Sequence, residues 1–297
     1  MGHTSNLIGS LREIMGTAYW LIRNLRHFGF TGPIYPVNPN SEYNEVFGST
    51  VYSTINDVPK PVDLAVLITP PNITPGIIEQ CAQKGVKAVV VLSEGFAESG
   101  EEGIDLQRQL TNIAHRTGIR IMGPNTFGVV NSANGLATIA PYLDQERIER
   151  GGIAICSQTG STGPQKMPVG DWAYPISKMC DVDESDIMDY LADDAETKVV
   201  SMHLEDVRDR PRFMAAVRRL VARKPLVVLK TARSEAGAKA SASHAGRAIA
   251  EFSERTVQNL AEVFPRLGGN PVDIGPAMSE FIQSFLLPRT SGGHCIG

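Results

Sequence analysis

The sequence predicts an α/β protein made of two doubly wound domains. Short continuous apolar runs recur along the chain, amphipathic stretches of helical period separate them, and the whole pattern occurs twice. A strand with no polar face needs cover on both sides, and helices on the two faces of a parallel sheet give it that cover. With 297 residues, 42% of them hydrophobic and 20% charged, the chain can build two such cores.

In the first series the strands are Asn6 to Ser10, Pro33 to Val37, Val62 to Thr69, Val86 to Ser93 and Ile119 to Gly123. Three stretches with apolar residues at helical spacing lie between them: TAYWLIRNLRHF, ITPGIIEQCAQKG and GIDLQRQLTNIAHRTG. They set a first domain over 1–128. Residues 129–150 are polar and carry glycine, as a linker with some structure of its own would. The second series runs through strand Gly152 to Ser157, helix DESDIMDYLADD, strand Val199 to Glu205, helix RPRFMAAVRRLVARK and strand Pro225 to Ala232, which sets a second domain over 151–250.

Several function classes are set aside by composition. A formal charge of −4, spread without long runs of one sign, gives nucleic acid and membrane surfaces nothing to hold. Arg12, Glu13, Arg23 and Arg26 interrupt the first thirty residues, so a signal peptide is not expected, and no stretch is long enough to span a bilayer; a cytoplasmic protein is expected. Cys81, Cys156, Cys180 and Cys295 have neither metal-ligand nor disulfide spacing, and Cys81 and Cys156 read as small core residues. The acidic run Asp181 to Asp186 lacks the glycine and glutamate of a calcium loop, so it reads as helix capping with Asp183 or Ser185 at the N-cap, and no metal is expected.

In a parallel sheet, ligands bind beyond the carboxyl ends of the strands. The first domain places there Gly9-Ser10, Asn38-Pro39, Thr69-Pro70, Ser93-Glu94 and, after Gly123-Pro124, Asn125. Such residues let a phosphate-bearing ligand approach backbone amides, and they are also ordinary loop composition. A nicotinamide dinucleotide wants three glycines after the first strand and an acid after the second; GSLREIMG and Asn38 supply neither, so an NAD-linked oxidoreductase is the weaker reading.

The second domain's first strand ends in SQTGSTG, where Ser157 and Thr159 read as phosphate ligands or as helix N-caps. Glu205 ends its next predicted strand. His244 stands among small residues in SEAGAKASASHAGRA, after the last strand. A carboxylate on one ring nitrogen would leave the other free as nucleophile or base; a solvated loop histidine is the alternative.

Taken in order, GFTGPIYPVNPN, VDLAVLITPP, GVKAVVVLSEGFAE, GIRIMGPNTFGVVN, GGIAICSQTGSTG, DVDESDIMDYLADDAETK and KPLVVLKTARSEAGAKASASHAG resemble the NDP-forming acyl-CoA synthetases, relatives of the succinyl-CoA synthetase alpha subunit. The likeness spans about Asn6 to Gly246. It implies a Rossmann-like CoA-binding domain followed by a flavodoxin-like domain, and an acid–thiol ligase that makes acyl-CoA through acyl phosphate and phosphohistidine. His244 matches the phosphorylated histidine, Glu205 the acid that orients it, and Ser157, Gln158, Thr159 and Gly160 the phosphate turn. Gly9, Ser10, Asn38, Pro39, Thr69, Pro70, Ser93, Glu94 and Asn125 fall on CoA-contacting motifs. The implied ligands are coenzyme A, a small carboxylic acid, and ATP or ADP with Mg²⁺ carried by an ATP-grasp partner of beta type, in an oligomeric assembly.

Beyond Gly246 the passage FSERTVQNLAEVFPRLGGNPVDIGP resembles a segment found further along in single-chain members. An internal deletion is therefore expected, with the flavodoxin-like domain short of its closing elements and 251–297 a remnant of a downstream domain. A CoA-binding protein that has lost turnover is the alternative.

Overall fold

The computed structural model describes residues 5–9, 17–40, 42, 44–139, 151–158, 172–175, 179–204 and 207–230. The chain opens with β1 (Ser5–Gly9), α1 (Thr17–His27) and β2 (Ile34–Val37), then a small hairpin of β3 (Glu45–Val46) and β4 (Ser49–Thr50). β5 (Leu64–Ile68), α2 (Thr74–Gln83), β6 (Ala88–Val91), α3 (Glu101–Thr117) and β7 (Arg120–Met122) follow. The five larger strands form one parallel sheet in the order β2-β1-β5-β6-β7.

Tyr52 makes a single parallel bridge outside β2, giving its N–H to Pro36 O at 2.9 Å and receiving the Asn38 N–H at 2.8 Å. Counted as a third strand, it completes the order 3-2-1-4-5-6 of the dinucleotide-binding sheets. The order of strand addition reverses between β1 and β5, the kind of switch point at which open parallel sheets bind ligands.

Alternation along β5 sorts the two faces. Val66 shares a core with Ala18, Leu21 and Ile22 of α1, while Ala65 and Leu67 join Ile78 of α2 and Leu110 of α3 on the other side. Leu21, Leu67 and Leu110 are fully buried, each worth about 1.5–3 kcal/mol of transfer free energy. Cys81 and Cys156 are core residues as expected, and burial pushes the Cys81 thiol up to about 12.

The second sheet contains β8 (Val130–Asn131), β9 (Leu136–Ala137), β10 (Ile153–Ser157), β11 (Trp172–Pro175), β12 (Val199–Leu204) and β13 (Leu226–Lys230), in the order β13-β12-β10-β11-β8-β9. The strands β10 to β13 are parallel and stand as 2-1-3-4, the beginning of the flavodoxin-like order. α4 (Glu184–Asp193) and α5 (Arg210–Val221) cover the face that carries Val200, Met202 and Leu204. Asp183 caps α4, accepting the Ser185 and Asp186 amides at 2.9 Å each. No helix among the described residues is long and apolar enough to cross a membrane.

The two domains exchange edges. Within the stretch expected to link them, β8 and β9 form a hairpin that pairs antiparallel with β11 and extends the second sheet. Its tip presses on the first domain: a Cβ on Gly135 would stand 2.4 Å from Phe28 O, and Asn24 of α1 donates to Ile139 O at 2.9 Å. In return, residues 180–182 run along the free edge of β7 in the opposite direction, with Cys180 N–H on Gly123 O and Val182 N–H on Ile121 O, both 3.0 Å. Between them the Asp181 carboxylate accepts the Ile121 amide at 2.8 Å and Arg120 Nε at 2.9 Å. Asp186 also pairs with Arg120, and Arg212 of α5 pairs with Asp183 and Asp186. One hydrophobic cluster accordingly runs from α1 through Val66 and Val90 into α4, β12 and α5.

Candidate functional site

Those candidate site residues that the structure describes lie along the carboxyl edges of both sheets, where parallel pairing brings strand ends side by side. In the first domain Gly9 stands opposite Ile68, and Ile8 opposite Val37, so Gly9, Asn38 and Thr69 leave three adjacent strands together. Asn38 is buried, and its Oδ1 accepts the Asn40 amide at 2.9 Å across exposed Pro39. Thr69, also buried, shares a 2.8 Å hydroxyl contact with Thr74, whose hydroxyl donates to the carbonyl of exposed Pro70 at 2.9 Å. These side chains shape the loops. What the loops then present is largely backbone.

Further along the edge, the Asn125 N–H donates to Ser93 O at 2.9 Å, tying the loop after β7 to the loop after β6. Close approach needs glycine at two positions, both with φ near +98°. A Cβ on Gly123 would meet Val91 O at 2.5 Å, and one on Gly95 would meet Pro71 Cγ at 2.8 Å. Glu94 is exposed to solvent. A sheet edge with a reversing strand order, backbone loops and no acid at the end of β2 fits a CoA-type phosphate ligand better than a nicotinamide dinucleotide.

In the second domain β10 ends at Ser157, in register with His203 of β12. The Gln158 N–H donates to His203 O at 3.1 Å, and Ser157 Oγ lies 3.4 Å from His203 Nδ1, both side chains buried. Leu204 pairs with Lys230, so the chain leaves β12 toward Glu205 and leaves β13 toward the histidine segment from neighbouring strands at one edge. Ser10, Thr159, Gly160, Glu205 and His244 themselves lie outside the described residues.

Two polar residues at this edge were not singled out from sequence. His203 follows two buried apolar or small residues and ends within an otherwise uncharged strand, so its signal was a polar ring in a run that periodicity makes interior. Glu184 is buried to 1% exposure, and burial pushes its carboxyl up to about 7, opposed by backbone hydrogen bonds from its own amide and that of Arg208. Its Oε2 and the neighbouring Ser185 Oγ have no hydrogen-bond partner among the described residues. Through the Arg208 amide, Glu184 is tied to the segment that resumes after β12 at Val207.

The comparisons agree with this geometry domain by domain. Residues 6–132 match a CoA binding domain, and residues 150–257 match a succinyl-CoA ligase like flavodoxin domain. The chain therefore belongs, through both domains, to the NDP-forming acyl-CoA synthetases related to the succinyl-CoA synthetase alpha subunit. It is 37% identical over 250 residues to the alpha subunit of an ADP-forming acetate–CoA ligase of Pyrococcus furiosus, covering 81% of this chain and 53% of that one. It is 32% identical to an ADP-forming 4-hydroxybutyrate–CoA ligase of Nitrosopumilus maritimus, covering 73% of this chain and 32% of the relative. Among solved structures, a Ca. Korarchaeum cryptofilum dinucleotide forming acetyl-coenzyme A synthetase, in complex with phosphate and ADP, matches at 30% identity and a TM-score of 0.74, with 82% of this chain and 53% of that one covered. The chain thus spans about half the length of the first of these relatives.

Proposed function

We propose that this chain is the alpha-type portion of an NDP-forming acyl-CoA synthetase, interconverting acid, CoA and ATP with acyl-CoA, ADP and phosphate. The observation that supports it most is the presence in one chain of both family domains, each with its strand-end motifs on a carboxyl edge. Gly9, Ser10, Asn38, Pro39, Thr69, Pro70, Ser93, Glu94 and Asn125 hold CoA. In the acyl-CoA-consuming direction, phosphate displaces CoA from the thioester and yields acyl phosphate. A ring nitrogen of neutral His244 then attacks phosphorus, releasing the carboxylate, and ADP takes the phosphoryl group from the phosphohistidine. Glu205 accepts a hydrogen bond from the other ring nitrogen, and the turn of Ser157, Gln158, Thr159 and Gly160 holds the phosphoryl group.

The nucleotide station, with ATP or ADP and Mg²⁺, belongs to an ATP-grasp partner of beta type, and the assembly is an oligomer working in the cytoplasm. The domains run over 1–128 and 151–250, joined by 129–150, whose hairpin of β8 and β9 adds to the second sheet, with 251–297 a remnant of a downstream domain. Acetate is the first acid to test, because relatives at 34–37% identity are named for it.

Acetyl phosphate added to the chain alone, and labelled ATP added with an ATP-grasp partner, both produce acid-labile phosphohistidine that His244→Ala loses. Equal labelling of wild type and His244→Ala sinks the mechanism. CoA binding with no label from either donor leaves a CoA-binding protein without turnover.

A further inference from the structure

Glu98 closes the stretch GVKAVVVLSEGFAE but has been given no role above. It sits in the short turn Ala97–Ser99 after β6, its side chain exposed. Three N–H donors converge on its Oε1: the Gly95 amide at 2.9 Å, the Phe96 amide at 3.3 Å and Asn125 Nδ2 at 3.2 Å. The first two leave β6 and the third leaves β7, so one carboxylate oxygen joins two ligand loops. Asn125 has φ +54°, a left-handed conformation that few non-glycine residues hold, and its own amide is already fixed on Ser93 O. Charge-assisted bonds of this kind are stronger than neutral ones, and the Glu98 side chain that accepts them is itself exposed rather than part of the core.

We propose that Glu98 is a positioning residue for CoA: its carboxylate aims Asn125 and orders the Ser93–Phe96 turn, so that the loops after β6 and β7 meet the ligand as one surface. The inference rests on reading this edge as the CoA site.

Calorimetric titration of the full chain with CoA tests it, using Glu98→Ala, Glu98→Gln, Asn125→Ala and the double variant Glu98→Ala/Asn125→Ala. Glu98→Ala raises the Kd for CoA about tenfold, the loss expected when one charge-assisted link is removed. Glu98→Gln keeps a carbonyl acceptor and recovers part of that loss. The double variant binds no more weakly than the weaker single one, because both changes remove the same link. Wild-type affinity in folded Glu98→Ala, or losses that add in the double variant, overturns the role of Glu98. No binding by the wild type removes the CoA reading and this inference with it, and so separates the two failures.

Discussion

The carboxyl edges of the two sheets keep their polar groups in different ways. Along the first, Asn38, Thr69, Glu98 and Asn125 spend their hydrogen bonds on neighbouring loop atoms, and the surface left for a ligand is mostly peptide. Along the second, Ser157, Glu184 and His203 are sunk in the interior, and one carboxyl oxygen of Glu184 has no hydrogen-bond partner among the described residues. A rigid peptide surface suits recognition of a large phosphate-bearing molecule. A buried carboxyl such as that of Glu184 suits a place where charge arrives and leaves, because its protonation answers to it.

Separating the two edges by mutation is the strongest way to break that contrast. His244→Ala abolishes phosphoryl uptake and leaves CoA affinity at the wild-type value, whereas Asn125→Ala weakens CoA and leaves uptake from acetyl phosphate intact; calorimetry and phosphohistidine assay read the two. A variant that damages both equally merges the edges into one.

The seam between the domains comes next. Asp181→Ala deprives the Ile121 amide and Arg120 of their shared acceptor and lowers unfolding free energy by about 3 kcal/mol in urea titrations. Glu184 gives a smaller effect with a sign. Burial raises its folded-state pKa to about 7, above the unfolded value, so the stability it contributes is complete below the unfolded pKa and is lost as pH rises through 7. Glu184→Gln flattens this stretch of the stability profile, a difference on the order of 2 kcal/mol between pH 4.5 and 8. A wild-type curve that is level through this window contradicts the burial argument. Smallest of all, Arg108→Ala removes an exposed pair with Asp105 and shifts stability by less than about 0.5 kcal/mol, an effect that salt erases.

Much of the architecture was legible because parallel strands such as β5 and β6 are apolar at every position, and the helices between them keep a clear period. Three elements escaped for physical reasons. Tyr52 contributes one bridging residue, too short to make a pattern, and Trp172–Pro175 is a strand only because β10 and β8 flank it. The hairpin of β8 and β9 reads as a polar linker because each of its strands has two residues. At the site, strand-end positions followed from topology alone. The links between loops did not: Glu98 reads as one more surface acid, and Glu184 as helix capping, since burial and convergence are tertiary facts.

The traded edges give the pair of domains a shared fate. Cut apart, the first would show the bare β7 rim that residues 180–182 now cover, and the second would lose its rest against α1 beneath the Gly135 tip. An unpaired rim is an invitation to stick to another chain. Whatever lineage first joined these modules, neither can now be borrowed alone without carrying part of the other's border.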